Sequence, residues 1–386
     1  MNDKFIGISG AGIGGLVAAI ALRKLGFKVR VYEQAKQFAR VGADINLTPN
    51  AVRAIDGLGM GVGEALRSSA ARPGYRISRD GFTGEETSRL EMSAAAERRY
   101  GAPQLTLHRA DLMSALEAAV PAECVKLGKR TVAVHDTGEH VDLEFEDGTR
   151  DRVDVLIGAD GIHSLVRTAL LGPEKPQFTG VVAYRAVVPV SRLQGLSNLD
   201  NFVKWWGATP EVQIVSFPLN LGKDLFIFAT TPQEGWELES WTAPGEAAEL
   251  RDIYKDFHPE ARALLDACDT VLKSALYVRD PLPAWHKGGR MVLLGDACHP
   301  MMPFMAQGAG QAIEDAVVLA RCLNEPGYAD IPTAFQAYQD ARLDRTSRIQ
   351  IGSRGNTWLK DGNNGDWVYA YDAWGVELPR PAVSLS

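Results

Sequence analysis

"FIGISGAGIGGLVAAIALRKLGFKVRVYEQ", Phe5 to Gln34, decides the fold. It opens on a short apolar run and passes through a glycine turn. It then takes up a helix-period apolar pattern that Gly26 ends, and closes on the alternating, β-branched "KVRVYEQ". That pattern predicts a strand, a buried helix and a second strand, a βαβ unit of about thirty residues. Gly10, Gly12 and Gly15 are spaced as GxGxxG, with Gly14 inside the motif. Gly10 permits the tight turn, Gly12 lets backbone approach a pyrophosphate, and Gly15 lets the helix lie close to its strand. The helix N-terminus then faces the phosphates. Glu33, followed by Gln34, closes the second strand where a carboxylate takes ribose hydroxyls, about twenty residues on. An acidic residue there disfavours a 2′-phosphate, so the unit predicts a site for the adenosine diphosphate moiety of FAD or NAD. The stretch is about as long as a membrane span, but its glycines and polar flanks favour the strand–turn–helix reading. The expectation is a cytoplasmic protein with no targeting signal and no membrane partner.

Composition narrows the class further. A chain of 386 residues suits two intertwined domains or one large α/β unit. A net charge of −7 and the lack of any basic block argue against nucleic acid or anionic lipid as a partner. Cys124, Cys268, Cys298 and Cys322 are scattered with no CxxC pair, and no histidines stand at HxH or HExxH spacing. Reduced, buried thiols and no metal are expected.

Beyond the first unit, "TPNAVRAIDGLGMGVGEAL" predicts a helix from Pro49 with Thr48 as N-cap. Another helix opens near Arg109 and Asp111, and a β-meander runs from Val125 to the apolar "VDVLIGADG". From Phe178 to Tyr277 alternating strands such as "VVAYRAVVPV", "FVKWWG" and "LFIFATT" predict a separate sheet. "RMVLLGDA" returns to the first domain. The organisation is α/β: a discontinuous Rossmann-type domain (1–72, 101–177 and 278–345), an inserted mixed-sheet domain (73–100 and 178–277), and a C-terminal helix and tail (346–386).

Two further motifs separate FAD from NAD. "VLIGADGIHSLVR" sets Asp160 and Gly161 after a buried strand. "GDACHPMMPFMAQGAGQAIEDA", Gly295 to Ala316, sets Asp296 at a strand end and a glycine turn at Gly308, Ala309 and Gly310 before a helix. A dehydrogenase has no use for this second carboxylate, whereas a ribitol chain presents hydroxyls that it can accept from.

In this order the three motifs resemble the flavoprotein aromatic hydroxylases, the single-component FAD-dependent monooxygenases, over nearly the whole chain. "VGADINLTPNAVRAIDGLG", "VKWW" and "NTWL…WVYAYD" are most similar to the salicylate hydroxylase and 6-hydroxynicotinate 3-monooxygenase branch. The resemblance implies that Gly10, Gly12, Gly14, Gly15, Glu33 and Gln34 hold the ADP half of FAD. Arg40 and Arg109 would reach the pyrophosphate or flavin, Asp160 would serve FAD and NAD(P)H handling, and Asp296 would bind ribitol. Backbone from Gln307 through Gly308 and Ala309 to Gly310 would face the flavin pyrimidine ring, with Pro303 beside the reactive flavin carbon. NADH or NADPH would reduce the flavin, and dioxygen would give a flavin hydroperoxide. Oxygen would pass to a hydroxylated aromatic or N-heteroaromatic acid, with or without decarboxylation, in a monomer or homodimer.

The substrate would lie between the inserted sheet and the flavin. His299 is either the catalytic base or a histidine that orders the turn. Tyr184, a candidate for the chemistry, and Arg185, a candidate for binding, alternate on one strand, so only one faces the pocket. Trp205, Gln213, Val215, Phe304 and Asn46 complete the candidate wall, with Asn46 also a candidate catalytic group. Asn46, Val215 and Phe304 stand where this branch carries a histidine, a tyrosine and a histidine, pointing to a related acid rather than strictly 6-hydroxynicotinate. A halogenase would carry WxWxIP, which "KWWGATP" is not, and an oxidase would need no NAD(P)H. A non-catalytic flavin-fold protein has no need of Glu33, Asp160 and Asp296 together.

Overall fold

The computed structural model describes residues 3–38, 44–236, 238–240, 242–359 and 365–380. The most apolar strands of the chain pair in a parallel sheet ordered β18 (Met291–Leu293), β11 (Val155–Gly158), β1 (Phe5–Ser9), β2 (Lys28–Tyr32) and β7 (Val125–Lys126). Ile6, Ile8, Val31, Leu156, Ile157 and Val292 are fully buried in it, because helices cover the sheet. One of these is α1 (Ile13–Lys24), which follows β1 through the glycine turn, and α9 (Gly308–Asn324) packs against it. Gly14 makes that approach possible, since a Cβ there would lie 2.6 Å from Leu294 Cδ1 and 3.3 Å from Ala312 Cβ.

The expected meander divides. Only β8 (Thr131–Asp136), β9 (Val141–Phe145) and β10 (Arg150–Val153) form an antiparallel sheet, while β7 and β11 leave it for the parallel one. The single helix expected from Pro49 is also two. The first, α2 (Pro49–Asp56), stops at a turn where Gly59 and Gly61 take φ of 71° and 75°, and α3 (Val62–Ser69) begins beyond it. Thr48 does not cap α2 with its side chain. Its hydroxyl donates to Asn50 Oδ1 at 2.7 Å and accepts from Gln307 Nε2 at 2.8 Å.

The inserted sheet has the order β16 (Pro244–Gly245), β17 (Val271–Val278), β12 (Gln177–Pro189), β15 (Asp224–Pro232), β14 (Gln213–Leu219), β13 (Phe202–Trp206), β4 (Tyr75–Asp80) and β5 (Glu86–Glu91). All neighbours are antiparallel except β13 and β4. One face packs Tyr184, Trp205, Ile214 and Ile227 beside α7 (Ala247–Ile253) and α8 (Pro259–Asp266). The other packs Val215, Phe217, Phe226 and Phe228 against Met302 and Phe304. Side chains alternate along each strand, so this second face is fixed for every strand of the sheet.

A two-stranded ladder of β3 (Ile45–Leu47) and β6 (Leu105–Leu107) bridges the two regions. Thr106 Oγ1 donates to Pro218 O at 2.6 Å, tying β6 to β14. The remaining helices are α4 (Ser93–Tyr100), α5 (Arg109–Ala118), α6 (Leu165–Leu171), α10 (Ile331–Arg354) and α11 (Asp366–Tyr369). No helix among the described residues is long and apolar enough to cross a membrane.

Candidate active site

At the first glycine turn, Glu33 Oε2 accepts from the Ala11 amide and Oε1 from the Ala35 amide, each at 2.8 Å. These bonds orient the carboxylate and leave lone pairs for ribose hydroxyls. Gly10 has a φ of 102°, and a Cβ there would sit 2.4 Å from Ala159 O. At Gly15 a Cβ would be 2.0 Å from Gly10 O, whereas at Gly12 it would meet nothing within 4 Å. Gly12 therefore borders open space where a pyrophosphate needs it. Gly14 also serves the contact with α9, since it faces Leu294 and Ala312. Gln34 is exposed in the bend after β2. Arg40 lies outside the described residues.

Asp160, expected to serve cofactor handling, stands between β11 and α6. Its carboxylate accepts from Ser164 Oγ and from the amides of Leu165 at 2.8 Å and Val166 at 3.2 Å, so it caps α6.

At the other end of the cleft, Asp296 follows β18 and presents its side chain to open space while protein encloses it. Burial raises its pKa, against the pull of His299 and Arg109. Burial likewise lowers the pKa of Arg109, at the start of α5, with Asp296 and Asp44 opposing. Burial lifts Asp44 to about 6 against Arg185 and then Arg109. Arg185, Asp44, Arg109 and Asp296 thus alternate in charge around the cleft.

Gln307 precedes α9 and is completely buried. Its Oε1 accepts from Asn50 Nδ2 at 3.1 Å and Gln311 Nε2 at 3.0 Å, and its Nε2 reaches Thr48. With its side chain fully engaged, Gln307 offers only backbone to a ligand, as do Gly308, Ala309 and Gly310 in the first turn of α9. That terminus favours negative charge. These residues fit FAD: a ribose acceptor at Glu33, an open turn at Gly12, an enclosed carboxylate at Asp296 for ribitol, and a helix N-terminus for the flavin ring.

The inserted sheet and the turn after β18 set three of the candidates apart from the others. Tyr184 points toward α7, with its hydroxyl 3.4 Å from Gln233 Oε1 and Lys273 Nζ 5.1 Å from its ring centroid. Trp205 points the same way, stacked with His258 at 5.8 Å and covered by Arg79 at 4.1 Å. Strand alternation puts both on the face opposite Val215, Phe217 and Phe228. His299 is buried beneath the turn, its Nε2 2.5 Å from Asp315 Oδ2 and its ring 5.4 Å from that of Trp285. Asp315 also accepts from the Gly295 amide at 3.0 Å and from Arg342 Nε at 2.9 Å. His299 is a structural member of that network.

Arg185, Gln213 and Val215 do share the second face with Phe228, and Met302 and Phe304 pack against it, while Pro303 between them is exposed. Arg185 lies over the Phe228 ring at 5.5 Å. Asn46, on β3, accepts from Gln104 Nε2 at 2.7 Å through Oδ1. The sequence reading passed over Asp44, and of Lys204, Trp205 and Trp206 it kept Trp205 as the candidate and left the other two aside. Those two were findable, because they alternate with Val203 and Trp205 and so share a face with Val215.

A family model described as an FAD binding domain matches residues 5–350. The chain is 40% identical over 382 residues to 6-hydroxynicotinate 3-monooxygenase of Pseudomonas fluorescens, covering 99% of this chain and 98% of that protein. It is 35% identical over 353 residues to 3-hydroxybenzoate 6-hydroxylase of Klebsiella oxytoca, covering 90% and 86%. HpxO of Klebsiella pneumoniae, solved with FAD and uric acid, superposes with a TM-score of 0.82 at 27% identity, covering 95% of this chain and 91% of that one. With the glycine turn, Glu33, Asp296 and the α9 turn in place, the chain belongs to the FAD-dependent aromatic hydroxylase family.

Proposed function

We propose that the protein is a cytoplasmic, NAD(P)H-consuming monooxygenase that hydroxylates the ring of a hydroxylated aromatic or N-heteroaromatic acid, as a monomer or homodimer and with or without loss of a carboxyl group. The observation that carries this reading is the apolar cluster that includes Val215, Phe228, Met302 and Phe304, with Arg185 over the Phe228 ring and in turn coupled to Asp44, Arg109 and Asp296. FAD, when bound, would supply the activation of dioxygen, one atom of which passes to the ring and the other to water at the expense of NAD(P)H. The chain's residues position and shield. Asp296 and the first turn of α9 hold the cofactor, and Pro303 presents an exposed face at the turn between cofactor and sheet. Val215, Phe228, Met302 and Phe304 exclude water from the reacting ring. Gln104 fixes the Asn46 side chain, leaving its amide N–H groups to meet a ring substituent. Apolar Val215 and Phe304 support a ring with fewer hydrogen-bonding groups on their side than 6-hydroxynicotinate, the substrate in the name of the first relative.

The test is a panel of substituted benzoates and hydroxypyridines with NADH or NADPH, read at the nicotinamide absorbance, with product mass separating oxygenation from uncoupled oxidation. A compound that accelerates oxidation and gains one oxygen atom is the expected result; acceleration by none sinks the reading. Asn46→Ala is expected to change which compound is preferred while FAD content stays at the parent level. Asp296→Ala is expected to lose FAD retention by about 1–3 kcal/mol, through ribitol hydroxyls left without their acceptor. Flavin released on gel filtration measures it.

A further inference from the structure

Arg76 lies on β4, on the sheet face shared with Val215 and Phe304, because Ile77 between it and Ser78 packs on the opposite face. It is nine-tenths buried. Its Nη2 donates to Trp358 O at 2.9 Å, and its guanidinium lies over the Phe202 ring at 5.4 Å. Its Nε is buried without a partner, and among the described residues Nη1 makes no hydrogen bond. Among the described residues no carboxylate pairs with it. Two other interior cations differ: Lys273 has Glu249 at 2.9 Å, and Arg342 has Glu314 at 2.5 Å. Burying a guanidinium with no counter-charge costs several kcal/mol. Burial accordingly pulls its pKa down, opposed only by the Tyr369 phenol.

Two further buried polar side chains lie beside it. Ser78, two residues along β4, is fully buried and its Oγ has no partner. Opposite it in register is Lys204, a second buried cation, whose Nζ donates to Asn356 Oδ1 at 2.7 Å and lies 3.6 Å from the Trp206 ring centroid. Beside Arg76 the same face carries Phe202, Phe217 and Phe226. The rings of Phe202 and Phe217 are stacked at 5.3 Å, a ring-sized apolar floor in the cluster that includes Met302 and Phe304. An unpaired buried donor at the end of an aromatic floor suits a planar anion attached to an aromatic ring.

We propose that Arg76, with Ser78 beside it, binds the carboxylate of the aromatic acid and so sets which ring carbon faces the cofactor. This rests on the reading of that sheet face as the substrate side. A carboxylate accepts charge-assisted hydrogen bonds from the guanidinium and offsets its burial. The phenylalanine row then directs the ring toward the wall at Met302 and Phe304.

The experiment titrates the FAD-loaded protein with 3-hydroxybenzoate and 6-hydroxynicotinate, and with their neutral counterparts phenol and 2-hydroxypyridine, following the flavin spectrum. Arg76→Gln, Arg76→Lys and Ser78→Ala are compared with the parent. At least one acid is expected to bind the parent ten-fold or more tightly than its neutral counterpart. Arg76→Gln should erase that preference with the neutral compound unaffected, Arg76→Lys should keep part of it, and Ser78→Ala should weaken it. Equal weakening of acid and neutral compound would show that Arg76 only holds the Trp358 backbone and overturn the proposal. So would an acid preference that survives Arg76→Gln, or no preference in the parent. If Arg76→Gln fails to retain flavin, the Arg76→Lys and Ser78→Ala ratios decide on the same criteria. Binding is read without turnover, so an acid preference with no oxygenated product sinks the monooxygenase reading and leaves the anion site standing.

Discussion

Burial lifts the Asp44 carboxyl to about 6 although Arg185 and Arg109 both pull it down. A carboxyl raised above its unfolded value near 4 resists ionising in the fold, so its burial cost is full above pH 6 and fades as pH falls toward 4. Asp44→Asn removes the charge with little change of shape. The variant is expected to be more stable than the parent by roughly 2–3 kcal/mol at pH 8, with the gap closing between about pH 6 and pH 4. Denaturant unfolding across that range checks it; a gap independent of pH would mean Asp44 is not the titrating group. Residues of this kind were the least legible. Glu33 and Asp296 could be read because each is tied to a strand end by its neighbours in the chain. Asp44 acquires its environment from Arg109 and Arg185, far along the sequence. Tyr184 and Arg185 were correctly seen to exclude one another, but which of them faces the cleft depends on the helices that α7 and α8 lay on one side of the sheet.

Two turns that look alike as motifs do different things as elements. Both GxGxxG and "GADGIHSLVR" join a strand of the parallel sheet to a helix, yet Gly14 belongs to the α1–α9 contact and Asp160 to the N-terminus of α6. Gly14→Ala forces a methyl toward Leu294 and Ala312 in a packed interior, so a loss of about 1–3 kcal/mol is expected from thermal or denaturant unfolding. Asp160→Ala strips the acceptor of Ser164, Leu165 and Val166, with an expected loss of about 1–2 kcal/mol. Flavin affinity of the folded Asp160→Ala protein should match the parent, measured by titrating the apoprotein with FAD. A large fall in affinity at unchanged stability would return Asp160 to direct cofactor contact. The strands and helices themselves were legible from periodicity. The break between α2 and α3 was missed because the amphipathic pattern continues across glycines that take left-handed φ.

Across the whole molecule, cofactor turn, helices and tail are joined by one buried charge network that no local pattern announces. Arg342 on α10 reaches Glu314 at 2.5 Å and Asp315 at 2.9 Å on α9, and Asp315 carries His299 beneath the turn. Glu314 also accepts from Asn50 Nδ2 at 2.6 Å, beside Gln307, and from Arg345. Arg345 continues to the carbonyls of Trp367 at 2.6 Å and Val368 at 2.8 Å in the tail. Burial raises the carboxyls of Glu314 and Asp315, but Arg342 with Arg345 and His299 outweighs it and holds both below the usual range. Groups held low stabilise the fold above their unfolded values near 4 and lose that contribution as pH falls through the folded values. Arg342→Met leaves two buried carboxylates with too little positive charge, so it is expected to cost about 3–5 kcal/mol at neutral pH. The deficit should shrink on acidification, since the uncompensated carboxyls of the variant take up protons before those of the parent. The same variant should loosen the Gln307 turn and the tail together. Hydrogen exchange at the α9 N-terminus and at Trp367–Val368 is therefore expected to rise in parallel. A rise at one site without the other would show that the network does not couple them.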